Sequence, residues 1–204
     1  MAKQDLEGGK RALVIVAHPD DESIWMGGFI LKNQGVSWTI LSLCRASDPD
    51  RAPKFKKVCE HLKAKAIIED MDDEGNLNFN QTVKKADELI LKNLHRKKFD
   101  YIFTHGENGE YGHEAHRAVH QAVKRMIKNG DITAKKIFYF NYKKARNKKF
   151  PIDEKLDSDL LFKMKKTDFD KKKKVMTRIY GFAPDGIDVN YCTNPEAFLI
   201  ENLK

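Results

Sequence analysis

The sequence is poor in cysteine and has no long apolar segment. Three cysteines occur in 204 residues, and they do not form the closely spaced pairs that are typical of zinc fingers. We therefore expect Cys44, Cys59 and Cys192 to be reduced and structural. No apolar run approaches the roughly 20 residues of a membrane-spanning helix, and the polar start of the chain does not resemble a signal peptide. These absences predict a cytoplasmic protein without a membrane span.

The sequence also lacks a zinc-finger, RRM or other nucleic-acid-binding motif, although its formal net charge is +8. The basic residues are densest between Lys143 and Lys174, where residues 171–174 are all lysine. Such a run favours a solvated helix face or a flexible insertion over a surface for an anionic ligand. We expect no specific nucleic-acid partner. The length favours one domain, residues 1–204, and leaves a homo-oligomer open.

Strand-like and helix-like segments alternate along the chain. Apolar and β-branched runs predict strands over residues 11–17, 37–43, 66–68, 101–105 and 137–140, and a late strand over 197–200. Apolar residues at helical spacing predict helices over residues 22–34, 51–63, 83–94 and about 113–128. This alternation is typical of an α/β fold, with a mainly parallel sheet, helices on both faces and right-handed crossovers.

Residues 17–22 read Ala-His-Pro-Asp-Asp-Glu and directly follow the first predicted strand. Pro19 has a fixed φ and no amide hydrogen, so it ends the strand and lets His18 and Asp21 face one point, with Asp20 beside them. Two adjacent carboxylates repel each other unless a divalent cation compensates their charge. Alternatively, the acidic residues cap the next helix. Capping alone leaves His18 unexplained, and the two roles are compatible.

A second cluster, residues 111–116, follows another strand-like run. His113 and His116 lie three residues apart at a helix start and therefore share a face. Because ligand sites of open α/β sheets form beyond the carboxyl ends of the strands, we expect both clusters to meet around one metal ion. His120 could pair with His116 on the helix, but we expect it to be a packed or surface histidine. His105 either supports the site or belongs to the core.

The two motifs together resemble the PIG-L / LmbE-like family of zinc-dependent N-acetylglucosamine deacetylases. The shared features are His-Pro-Asp-Asp-Glu after the first strand and a later Gly-His-x-x-His that opens a helix. The resemblance covers about residues 11–130 and implies a Rossmann-like α/β fold. It implies that His18, Asp21 and His116 are the zinc ligands. It also implies that Asp20 is the general base and that His113 is the charged partner of the oxyanion.

The same resemblance implies where the substrate lies. Tyr111 matches a position beside the substrate carbonyl, and we assign Arg45 and Arg51 to substrate binding as well. Two positions depart from the family pattern. Glu114-Ala115 stands where Pro-Asp is frequent, so a carboxylate near the metal is lost unless Glu114 replaces it. The loop 45–48 replaces a common Gly-Glu pair.

These residues predict an enzyme. Two histidines and one aspartate leave a coordination position open, as in catalytic zinc sites, although the same set also suits iron(II). The predicted reaction removes the acetyl group of an N-acetylated amino sugar or glycoconjugate, with Asp20 as the proton acceptor. The alternative is a non-catalytic sugar-binding or metal-binding protein on the same scaffold. Asp20 and His113 favour the enzyme, because binding needs neither.

Overall fold

The computed structural model describes residues 5–145, 152–155 and 157–203. The strands in these parts of the chain are β1 (Arg11–Val16), β2 (Ser37–Cys44), β3 (Ala64–Met71), β4 (Lys97–Lys98), β5 (Tyr101–Thr104), β6 (Ile132–Thr133), β7 (Lys136–Phe140), β8 (Tyr142–Lys144), β9 (Ile152–Glu154), β10 (Leu160–Phe162) and β11 (Glu196–Asn202). The helices are α1 (Asp21–Lys32), α2 (Arg51–His61), α3 (Phe79–Leu94), α4 (Gly109–Gly112), α5 (Glu114–Lys128), α6 (Lys166–Val175) and α7 (Ile187–Asn190), and a π-helical segment, Met176–Tyr180, follows α6.

Seven strands form the central sheet in the order β10-β11-β7-β5-β1-β2-β3. The five strands from β7 to β3 are parallel, whereas β11 and β10 are antiparallel additions at one edge. Helices α1 and α2 pack on one face of the sheet, and α3 and α5 pack on the other. The predicted α/β fold with a mainly parallel sheet and helices on both faces is therefore confirmed.

Strand β1 lies in the middle of the sheet and is buried on both faces. Ala12, Val14 and Val16 belong to the core beneath α1, and Leu13 and Ile15 belong to the core on the opposite face. All five side chains are inaccessible to solvent. This double burial explains why β1 reads as a continuous apolar run and not as an alternating one.

The strand order reverses beside β1. The chain runs outward from β1 to β2 and β3, and then returns through α3 to β5 on the other side of β1. A crevice opens at such a point beyond the carboxyl ends of the two strands, and ligands of open α/β sheets bind there. The loops after β1 and β5 carry the two predicted clusters, so the fold places both clusters at this crevice.

Helix α1 is kinked at Met26, whose φ of −149° and ψ of 15° are not helical. After the kink, the backbone N–H groups of Gly28 and Phe29 donate to the two carboxylate oxygens of Glu196, at 2.8 and 2.7 Å. Lys172 Nζ lies 2.7 Å from Glu196 Oε1, and both side chains are fully buried. This buried pair fastens α1, which begins in the first cluster, to β11 and α6.

The burial of Lys172 corrects the interpretation of the lysine run as a solvated face. Lys171 and Lys174 are exposed, but Lys172 points inward to Glu196. The physical reason is the partner carboxylate, which a charge pattern cannot reveal. The predicted basic stretch forms β8, β9, β10 and α6, and its residues 146–151 and 156 lie outside the described residues.

The three cysteines are buried and free, as predicted. Over the ranges that the structure describes, no helix combines the length and the apolar character required to cross a bilayer.

Candidate metal centre

The turn after β1 holds the carboxylate of Asp21 in a defined orientation. The backbone N–H of His18 donates to Asp21 Oδ2 at 2.8 Å, and Trp25 Nε1–H donates to Asp21 Oδ1 at 2.9 Å. Asp20 precedes the first residue of α1, yet its side chain makes no capping hydrogen bond. Capping therefore does not account for Asp20.

Donor atoms of three residues from the two motifs converge. His18 Nδ1 lies 3.2 Å from His116 Nε2 and 3.3 Å from Asp21 Oδ2, and His116 Nε2 lies 3.5 Å from Asp21 Oδ1. Ligand atoms about 2.1 Å from a tetrahedral zinc ion are themselves about 3.4 Å apart, so this donor set fits such an ion. His120 lies one turn further along α5, where its Nδ1 is 2.9 Å from the carbonyl oxygen of His105.

A buried carboxylate, Glu110, joins the two histidines behind the donor cluster. The Nδ1 atoms of His105 and His116 lie 2.9 and 2.6 Å from Glu110 Oε2, and Gly106 N–H donates to Oε1 at 2.8 Å. The two imidazole rings stack with centroids 3.9 Å apart. Because His105 Nε2 accepts the Ala17 N–H at 3.0 Å, both nitrogens of His105 are engaged by the protein. His105 thus supports the site and offers no free donor atom.

Glu110 is not among the residues that the two motifs indicated. Glu114, the expected replacement for the missing family carboxylate, is exposed, whereas Glu110 is fully buried. Burial acts to raise the pKa of Glu110, and its electrostatic interactions and hydrogen bonds with His105 and His116 outweigh it, lowering the pKa to about 2. The available signal was its position three residues before His113, in the loop that carries the second motif.

Asp20 and Asp21 occupy different electrostatic environments. Burial, with the negative charge of Asp21, raises the pKa of Asp20 to about 7, although Arg51 and His18 act to lower it. Burial acts to raise the pKa of Asp21 as well, but His116 and His105 hold that pKa well below its ordinary value. Of these two carboxyl groups, Asp20 is therefore the one poised to exchange a proton near neutral pH.

Arg51 lies against Asp20. Its Nη1 donates to Asp20 Oδ2 at 2.5 Å and to the Pro19 carbonyl oxygen at 3.3 Å. The guanidinium also covers the Phe182 ring, with its central carbon 4.7 Å from the ring centroid. Arg51, which we assigned to the substrate, thus has an additional contact with the predicted base.

His113 lies beside the donor cluster and is neutral in this environment. Burial, followed by electrostatic interactions with His116 and His18, lowers its pKa to about 3. A pKa lowered in this way favours a neutral ring over the expected imidazolium. His113 Nδ1 is buried and has no hydrogen-bond partner among the described residues. A neutral ring can still donate its single N–H to a developing negative charge.

All three residues assigned to the substrate line a cavity of about 300 Å³ beside the donor cluster, namely Tyr111, Arg45 and Arg51. Arg45 Nε donates to Asp73 Oδ2 at 2.7 Å. The Tyr111 ring lies 5.1 Å from the ring of Tyr191, which the sequence did not indicate because it belongs to the C-terminal part of the chain. The cavity thus combines an aromatic wall with charged groups, as ligand pockets commonly do.

Two solved structures share this fold. GalB, the 4-carboxy-2-hydroxymuconate hydratase from Pseudomonas putida KT2440, has a TM-score of 0.61 and 16% identity, over 96% of this chain and 100% of its own. Dbv21, a deacetylase of the A40926 pseudoaglycone, has a TM-score of 0.63 and 14% identity, over 94% and 95%. At these identities the likeness concerns the fold alone. Since one is named a hydratase and the other a deacetylase, the fold does not select the reaction.

Sequence comparison identifies the family. The uncharacterized protein L374 of Acanthamoeba polyphaga mimivirus is 26% identical over 123 residues, which are 52% of this chain and 53% of that protein. The bovine N-acetylglucosaminyl-phosphatidylinositol de-N-acetylase is 24% identical over 135 residues, 61% of this chain and 53% of the bovine protein. The chain spans about half the length of these curated relatives. Residues 13–127, more than half of the chain, match the family described as PIG-L, GlcNAc-PI de-N-acetylase. The chain therefore belongs to the PIG-L family, as the two motifs predicted.

Proposed function

We propose that this protein is a zinc-dependent N-deacetylase that releases acetate from an N-acetylglucosamine-type sugar or its conjugate. Family membership supports the reaction class. The observation that carries the proposal is the buried carboxylate of Asp20, which has a pKa of about 7 and lies beside the converging donor atoms of His18, Asp21 and His116 without being one of them. A protein that only binds metal or sugar has no use for such a group.

His18, Asp21 and His116 would hold the ion through the donor atoms that converge in the structure. Three protein ligands leave a coordination position open, which is the arrangement of catalytic zinc sites. When bound, zinc supplies Lewis-acid polarisation of a carbonyl and lowers the pKa of water. The same donors suit iron(II), so the metal must be identified by reconstitution.

The remaining steps belong to side chains of this chain. Asp20 accepts a proton from water as the water oxygen bonds to the amide carbonyl carbon, which becomes tetrahedral while its carbonyl oxygen becomes an oxyanion. The N–H of neutral His113 and the hydroxyl of Tyr111 stabilise that charge by hydrogen bonding. Asp20 then gives its proton to the leaving nitrogen as the carbon–nitrogen bond breaks. The products are a free amino sugar and acetate.

Arg51 and the aromatic wall orient the reactants in this proposal. Arg51 fixes the Asp20 carboxylate by a hydrogen bond, and Arg45 presents a second cation to the cavity. The cavity of about 300 Å³ lies at the lower end of the range of ligand pockets, which matches a small sugar. Tyr111 and Tyr191 supply rings on which an apolar sugar face can rest.

The test is acetate release from a panel of N-acetylated sugars and glycoconjugates. Protein should be stripped of metal and reconstituted separately with zinc and with iron(II), and Asp20→Asn serves as the matched control. We expect zinc-dependent acetate release that Asp20→Asn largely abolishes. If the zinc-loaded protein bound these sugars and released no acetate, the non-catalytic binding protein would be the better description.

A further inference from the structure

Glu110 occupies a position that its sequence neighbours do not explain. Its side chain is fully buried between β5 and α5. One oxygen, Oε2, faces the Nδ1 atoms of both His105 and His116, and the other accepts the Gly106 N–H. A single carboxylate therefore meets three nitrogen atoms from the loop after β5 and from α5.

These contacts determine which ring nitrogen of each histidine carries the proton. A neutral imidazole has one N–H and one lone pair. His105 Nε2 accepts the Ala17 N–H, so its ring proton must lie on Nδ1, facing Glu110. A carboxylate is an acceptor only, so His116 must likewise place a proton on Nδ1 to bond to it. The Nε2 lone pair of His116 is then free to face His18 Nδ1 and Asp21 Oδ1.

The backbone conformation of Glu110 also indicates that its surroundings hold this residue in place. Its φ of 57° and ψ of −63° lie near those of a γ-turn with positive φ, a strained backbone conformation that residues other than glycine seldom adopt. Strained residues persist where their surroundings determine them, and they concentrate at functional sites. Here the three hydrogen-bonding contacts of the carboxylate accompany the strained turn.

We propose that Glu110 is a positioning residue for the metal centre. It holds His116 with the proton on Nδ1, so that Nε2 is available as a ligand, and His105 braces the pair by stacking on the His116 ring. The inference rests on the metal site of the proposed function, and not on the deacetylase reaction. Carboxylates that accept the second N–H of a metal-bound histidine fix its orientation and raise its basicity.

Glu110→Gln tests this role, because an amide cannot reproduce the contacts. If the amide oxygen of the Glu110→Gln side chain accepts hydrogen bonds from the two imidazole N–H groups, its NH₂ group faces the Gly106 N–H, and two donors then stand against each other. If the amide oxygen accepts from the Gly106 N–H, its NH₂ group faces the Nδ1 atoms of both imidazole rings. His116 Nδ1 must then act as an acceptor, so the ring proton of His116 moves to Nε2. Exposed Glu114→Gln removes the same charge four residues away and is the matched control.

The measurement is zinc affinity, obtained by competition with a chromophoric chelator in the absence of any sugar. We expect Glu110→Gln to weaken zinc binding by about 10–100-fold and Glu114→Gln to leave it unchanged. Unfolding of the metal-free proteins, followed by circular dichroism, shows whether both variants are folded. Equal zinc affinity in folded Glu110→Gln and the parent would overturn the proposal, as would a parent that binds no zinc.

If Glu110→Gln does not fold, the unaltered protein still decides the matter. Long-range ¹H–¹⁵N NMR of the metal-free parent distinguishes the two tautomers of each histidine. A proton on Nδ1 of His116 supports the proposal, and a proton on Nε2 refutes it. Neither this measurement nor zinc affinity involves acetate release, so failure of the deacetylase proposal would be seen separately.

Discussion

Arg51 Nη1 donates to Asp20 Oδ2 at 2.5 Å, whereas the adjacent Asp21 is bonded by Trp25 and faces histidines. Two identical side chains, next to each other in the chain, therefore meet different partners. Burial leaves Asp20 with a pKa of about 7, and the histidines keep the pKa of Asp21 well below its ordinary value. In the proposed function, this difference separates a proton acceptor from a permanently charged ligand.

Asp20→Asn should remove the proton acceptor and keep the metal. Loss of a general base lowers rates by about 10²–10⁴-fold, so we expect acetate release to fall by that factor. Steady-state kinetics should be accompanied by elemental analysis of the same sample. Parental rates in the variant would exclude Asp20 as the base, and loss of metal would place Asp20 among the ligands.

Acetate release should rise as the pH increases through the pKa of Asp20, because the base must be ionised to accept a proton. The positive charge of Arg51 lowers that pKa, so Arg51→Met should raise it and move the acidic limb of kcat/KM to higher pH, by roughly one unit or more. Lys54→Met, on the same helix, should leave the limb in place, since Lys54 pairs with exposed Asp50. Coincident limbs for Arg51→Met and the parent would contradict the pairing.

The alkaline side of the same profile tests His113. Its pKa is lowered to about 3, so His113 is already neutral in the working range and its deprotonation should produce no limb near neutrality. We therefore expect His113→Gln to lower kcat while any alkaline limb stays at the parental pH. A limb that disappears in His113→Gln would show that the imidazolium is required.

Metal content should distinguish the two histidines of α5. His116 Nε2 faces the other donors, whereas His120 contacts the His105 carbonyl oxygen. We expect His116→Ala to lose its bound ion during dialysis and His120→Ala to retain about one per chain. If His116→Ala retained the ion and His120→Ala lost it, the ligand on α5 would be His120 and not His116.

Lys172→Met should destabilise the protein strongly, because it leaves the Glu196 carboxylate buried without its cation. Breaking such a pair by removing one partner costs about 3–5 kcal/mol. Lys171→Met, at the exposed neighbouring position, should change the free energy of unfolding by no more than about 0.5 kcal/mol. Urea unfolding of both variants measures the difference, and similar values would show that the buried pair contributes little.

The sequence by itself determined the fold class and the two motifs that form the candidate metal site. Strand and helix periodicities depend on residues a few positions apart, and a turn with Pro19 or a helix start with His113 and His116 is also local. The reversal of strand order beside β1 then brings the motifs together, as the general rule for parallel sheets predicts.

Only the tertiary structure decided which charges meet in the interior. Glu110 reaches His116 across a strained turn, Arg51 reaches Asp20 from another helix, and Lys172 reaches Glu196 from a run that looks solvated. The periodicity of helices and strands in the sequence does not predict which of these side chains come into contact. Burial strengthens such contacts and makes an unpaired charge costly, so the folded arrangement and not the composition sets the protonation of the site.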